Sequence, residues 1–115
     1  MILGQNTEGY VDFCLHDEED NILDMSLVQK VEFTFDVKGK HQVIKYWPQD
    51  DLIKHNAEQN VFSVWLTQKE TQNWNNQIPV QVRVSFMDGT IDSTDIEMAF
   101  IRPCLNKEVM LHDKT

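Results

Sequence analysis

The sequence predicts an all-β fold: two packed antiparallel sheets built from about seven short strands, with one short helical turn. Three observations carry this. Apolar and polar residues alternate with period two in several runs, the mark of half-buried strands. Turn residues punctuate those runs at short intervals, among them Lys38-Gly39-Lys40, Pro48 and Asp88-Gly89. One stretch, starting at Thr67, carries helix-start chemistry.

In chain order, residues 9–16 read as a strand. Residues 17–24 lack periodicity and read as an acidic loop. Val31, Phe33, Phe35 and Val37 then alternate with Glu32, Thr34 and Asp36, so the apolar set shares one face. Lys38-Gly39-Lys40 makes the expected turn, and residues 41–47 return. On the returning strand Gln42, Ile44 and Tyr46 take one face, and Val43, Lys45 and Trp47 the other. Pro48 ends it, because proline lacks the N–H a ladder needs. A short strand is expected at residues 52–55, a polar turn at 56–60 and a strand at 60–66.

Thr67-Gln68-Lys69-Glu70 fits a capping box: the threonine hydroxyl accepts from the third amide and the glutamate reaches back. The turns that follow are expected over residues 68–74. Ile78-Pro79 restarts the sheet, since the residue before proline prefers extended backbone. Val80, Val82, Val84 and Phe86 share one face, and Asp88-Gly89 supplies a hairpin turn in which glycine accepts positive φ. On the return, Ile96, Met98 and Phe100 are expected on the core face, alternating with Asp95, Glu97 and Ala99. The tail after Pro103, with Leu105, Val109, Met110 and Leu111, reads as a docked strand or short helix. An immunoglobulin-like sandwich spanning residues 1–115 as one domain is the expected arrangement, and a small barrel is the alternative.

Length and charge narrow the function. The chain has 115 residues, with 19 acids against 10 lysines and arginines, a formal charge of −9. Such a balance speaks against nucleic acid and against anionic membrane surfaces, both of which need clustered cations. No apolar run is long enough for a transmembrane helix, and the first residues lack the pattern of a signal peptide. The acid is uneven: residues 1–60 carry twelve acids against five bases, and residues 61–115 seven against five. Cys14 and Cys104 are read as reduced thiols of a cytoplasmic product, a single bridge between them being the alternative.

The sequence offers little catalytic chemistry. Asp17-Glu18-Glu19-Asp20-Asn21 lacks the alternating spacing that wraps calcium and reads as a solvated turn. His16, His41, His55 and His112 lie too far apart along the chain to form a local zinc motif. There is no nucleophile elbow and no phosphate-binding glycine loop. The expectation is a protein that is no enzyme, with no cofactor and no metal.

The aromatics are the candidate binding residues. Trp65 shares its strand face with Ser63, opposite Phe62, Val64 and Leu66, so it is expected to point outward or to lie under a neighbouring element. Trp47 shares a face with Lys45. Tryptophan on a sheet surface either anchors a subunit contact or stacks on a sugar ring, the plainer alternative being a second apolar layer. Trp47, Trp65 and Tyr46 are therefore the named candidates.

The order of motifs carries a resemblance. It runs from Phe62 to about Val109 and stands here as Val61-Phe62-Ser63-Val64-Trp65-Leu66-Thr67-Gln68-Lys69-Glu70-Thr71, then Ile78-Pro79-Val80-Gln81-Val82-Arg83-Val84, then Asp88-Gly89-Thr90. This order resembles small tail and baseplate-region proteins of phages and prophages of Firmicutes. It is also similar to the N-terminal β-sandwich of phage baseplate upper proteins. The upstream hairpin, residues 31–46, fits too. The resemblance lends no catalytic residues. It implies a virion structural or assembly role through contacts with copies of itself (a homo-oligomer) or with other tail proteins. The implied location is the bacterial cytoplasm during assembly and then the virion. The alternative expectation is a carbohydrate-binding module that recognises host-surface glycans.

Overall fold

Each alternating run becomes a strand because its apolar side chains reach one core from one face. The computed structural model describes residues 1–37 and 42–112. The turn expected at Lys38-Gly39-Lys40, together with His41, lies outside the described residues. Among the described residues the strands are β1 (Ile2–Gly4), β2 (Gly9–Cys14), β3 (Val28–Phe35), β4 (Val43–Trp47), β5 (Ile53–Asn56), β6 (Val61–Leu66), β7 (Gln77–Phe86), β8 (Ile91–Ser93) and β9 (Glu97–Arg102). A single helical turn, α1 (Gln68–Thr71), joins β6 to β7, and a 3-10 turn over Met25–Leu27 leads into β3.

The all-β expectation holds, with two sheets. A six-stranded sheet runs β1-β9-β7-β3-β4 with β8 also beside β7, and a three-stranded sheet runs β2-β6-β5. The larger sheet corrects the purely antiparallel expectation. Its edge strand β1 lies parallel to β9, with Ile2 opposite Phe100 and Leu3 opposite Ile101. Three residues are too few to display a period, so β1 left no alternation to read.

The sheets face each other across one core. The Phe33 ring lies 5.6 Å from Phe62 and 5.0 Å from Phe13, contacts that cross from β3 to β6 and β2. Val31, Phe35, Val64 and Ala99 are completely buried beside them. Trp74, just past α1, is 1% exposed and stacks on Phe35 at 5.6 Å. No helix among the described residues is long and apolar enough to cross a membrane.

The hairpin after β7 has the expected turn and an unexpected return. Gly89 adopts a φ of +91°, and the Phe86 N–H donates to the Thr90 carbonyl at 2.9 Å. The returning limb is broken. β8 sets Ser93 opposite Arg83, whereas β9 sets Glu97 opposite Val80. Between these pairs β7 advances three residues and the returning limb four. That one extra residue turns every later side chain to the other face. Ala99 and Ile101 therefore enter the core, and Ile96, Met98 and Phe100 face outward, the reverse of the expected alternation. Thr94 holds the irregularity: its N–H donates to the Val82 carbonyl, and its hydroxyl accepts from the Val82 N–H.

The capping box forms as the sequence predicts. The Thr67 hydroxyl accepts from the Glu70 N–H at 3.2 Å, and the Glu70 carboxylate accepts from the Thr67 N–H at 2.9 Å. The helix stops at Thr71 rather than continuing to Trp74. The acidic loop closes on itself, the Asp17 carboxylate accepting from the N–H groups of Glu19 and Asn21. The described part of the tail is neither strand nor helix. Side-chain amides strap it down instead. Asn6 donates to the carbonyls of Asn106 and Glu108, Gln72 donates to that of Lys107, and Gln68 binds both main-chain groups of Met110.

Candidate functional site

The outward faces of the two sheets carry the exposed chemistry. On the six-stranded sheet, register aligns Tyr46 of β4, Glu32 of β3 and Arg83 of β7 in one row. Arg83 donates to both carboxylate oxygens of Glu32, Nε at 2.6 Å and a terminal nitrogen at 2.8 Å, a two-pronged pair that fixes both side chains. The Arg83 hydrogen bonds hold the Glu32 carboxyl below the ordinary glutamate range. Hydrogen bonding to Glu32 pushes the Tyr46 phenol above its ordinary value. The Lys30 ammonium sits 4.3 Å from the centre of the Tyr46 ring.

The far end of the same face is apolar. Ile2, 69% exposed, lies directly opposite Phe100, 54% exposed, and Met98 follows on β9. Met98 and Phe100 are outward because of the extra residue between β8 and β9, and they lie beside the edge strand β1, which carries Ile2. Sequence reasoning placed Met98 and Phe100 inside and gave Ile2 no role. A single unpaired residue in a strand leaves no compositional trace, so alternation alone did not reveal the patch.

The three-stranded sheet presents a second outward face. Tyr10 and Trp65 are directly opposite, their rings 4.8 Å apart and edge to face. The Lys54 ammonium lies 5.0 Å from the Tyr10 ring centre, and the Ser63 hydroxyl donates to Asp12 at 2.6 Å. Leu52 beside them is exposed.

The three candidate aromatics do not meet. Trp65 points outward from the smaller sheet, as its alternation predicts. Tyr46 points outward from the larger sheet, on the opposite side of the molecule. Trp47 turns inward, because its partner across the ladder is the buried Val31. It packs edge-on against His55 at 5.3 Å and Phe62 at 5.4 Å, closing the core between β4 and β5. One ligand ring therefore cannot touch all three. Tyr10 is the partner of Trp65 that sequence reasoning missed, and only the β2–β6 register reveals it.

Cys14 and Cys104 are free thiols. Among the described residues, no three histidine, cysteine or carboxylate side chains converge in a way that would hold a metal ion. Comparison with models of known protein families and with curated proteins finds no match to this chain.

Proposed function

We propose that the chain is a non-enzymatic structural or assembly component of a phage or prophage tail or baseplate, working through protein–protein contacts. The observation that carries this reading is the apolar patch of Ile2, Met98 and Phe100 beside the edge strand β1. Exposed apolar groups next to an open sheet edge favour burial against another chain. The motif order described above supplies the biological setting, and an immunoglobulin-like sandwich is the proposed frame. Acidic charge keeps free subunits dispersed in the bacterial cytoplasm until they join the virion. Light scattering behind size exclusion tests it. The wild-type chain should gain mass above its 13.5 kDa monomer as concentration rises, and Met98→Thr with Phe100→Ser should remain a monomer. A wild-type chain that stays monomeric and binds no product of neighbouring genes argues against the reading.

A second reading is a module for host-surface glycans, and the outward-facing pair of exposed Tyr10 and half-buried Trp65 is what favours it. Tryptophan fluorescence titrated with bacterial wall glycans, silent throughout, would remove it.

A further inference from the structure

Among the described residues no strand pairs with the outer edge of β2, and the hydrogen-bond pattern identifies which groups that edge offers. The Trp65 N–H donates to the Leu52 carbonyl at 3.1 Å, so Trp65 directs its main-chain groups toward β5. In an antiparallel ladder each residue sends both groups to one side and its neighbours send theirs to the other. Tyr10, opposite Trp65, is then in a non-hydrogen-bonded pair. Tyr10, Asp12 and Cys14 point their N–H and C=O groups away from β6, while Val11 and Phe13 are bonded to it.

Beside this edge a groove runs between the sheets, where three strands face six. Its floor is apolar, with Phe13 and Leu15 on one side and Val84 and Phe86 on the other. Two cavities of about 450 and 570 Å³ lie along it and share Cys14, Leu15, Thr94 and Asp95 in their linings. The rims are acidic. Asp12, Asp17 and Glu18 stand on the β2 side, and Asp92, Asp95 and Glu97 stand across from them. No lysine or arginine is among the described residues that line it; the Met1 amine, 3.4 Å from Glu97, and the His16 imidazole are the basic groups there.

Charge decides the occupant. A second copy paired on β2 would set six carboxylates against six. An incoming strand with basic residues meets the same rims favourably. We propose that β2 takes up an extended segment of a partner protein, with lysine or arginine alternating with apolar residues, as a fourth strand of the smaller sheet. Main-chain bonds at Tyr10, Asp12 and Cys14 hold it. One set of its side chains covers the apolar floor on the side of Asp92 and Glu97, and the alternate set lies on the outward face with Asp12. This rests on the assembly reading above and names the chemistry of one partner.

The test uses the full chain and a capped eight-residue peptide in which lysine alternates with valine, read by amide hydrogen exchange. The amides of Tyr10, Asp12 and Cys14 should slow about tenfold or more, while those of Val11 and Phe13 change little. High salt should weaken the effect, and a glutamate–valine peptide should give none. Reversing the exposed rim with Asp95→Lys and Glu97→Lys should weaken the lysine peptide about tenfold, leaving the β2 main chain untouched. Unchanged exchange at the three amides, or equal slowing by the glutamate peptide, overturns the proposal. Slowing produced by raised protein concentration without peptide also overturns it, because the occupant is then a second copy. Light scattering on the same samples separates the two readings. Self-association with these amides unprotected defeats the groove and spares the assembly role. A monomer that takes up the lysine peptide defeats self-assembly through the β1–β9 patch and spares the groove.

Discussion

The Lys45 ammonium lies 2.8 Å from one carboxylate oxygen of Glu70 and 3.0 Å from the other, although Lys45 is only 8% exposed. The same Glu70 closes the helix cap on Thr67. One side chain thus completes α1 and neutralises a cation that strand alternation forces inward from β4. Removing the carboxylate leaves a buried charge without a partner. Glu70→Ala should cost about 3 kcal/mol, the low end of the range for such a loss because Glu70 is partly open to water. Lys45→Met removes the charge and fills the space, and should cost about 1 kcal/mol or less. Urea unfolding of the two variants checks the asymmetry, and equal losses would contradict it.

Glu32 and Tyr46 give opposite pH signatures. The Glu32 carboxyl is depressed in the fold, so its stabilisation is present above the unfolded value, near pH 4, and fades as pH falls through the folded value. The stability difference between wild type and Glu32→Gln should therefore shrink on acidification below about pH 4. The Tyr46 phenol is raised, so its share is complete below about pH 10 and is lost as pH climbs through the folded value. Ultraviolet absorbance should show one of the two tyrosines ionising late in the wild type and earlier in Glu32→Gln. Identical titrations in the two proteins would refute the link.

The register slip between β8 and β9 makes a prediction that sequence alternation would reverse. Ala99 is completely buried and Phe100 is outward. Ala99→Leu should overpack the core and cost about 1–3 kcal/mol, while Phe100→Thr should stay within about 0.5 kcal/mol. Thermal or urea unfolding decides, and a larger loss at position 100 would restore the unbroken hairpin.

Legibility followed the length and regularity of each signal. The alternating apolar residues of β3, β6 and β7, the Asp88-Gly89 turn and the Thr67–Glu70 cap were readable because each is a local pattern with a local cause. The β9 face was not, since one extra residue changes parity without changing composition. Trp47 was misleading for a related reason. It shares a face with Lys45, and a lysine normally marks solvent, but Glu70, 25 residues away, makes burial tolerable. The candidate surfaces were half visible. Trp65 pointed outward as its alternation required, whereas Tyr10, Ile2 and the open β2 edge emerge only from pairings between distant strands.

Gln68 decides whether the tail stays docked. Its side chain, nearly buried, donates to the Met110 carbonyl at 2.6 Å and accepts from the Met110 N–H at 2.8 Å. It thereby mimics the main chain of a neighbouring strand for a segment with no regular structure of its own. A tail held this way has little core burial behind it, because Leu105, Met110 and Leu111 remain exposed. Its docking therefore depends on a few polar contacts and opens locally without global unfolding. Gln68→Ala should remove two hydrogen bonds at a cost of about 1–2 kcal/mol in local docking. Trypsin should then cut after Lys107 faster than in the wild type, with the global urea midpoint nearly unchanged. Equal cleavage rates would show that Asn6 and Gln72 hold the segment without Gln68.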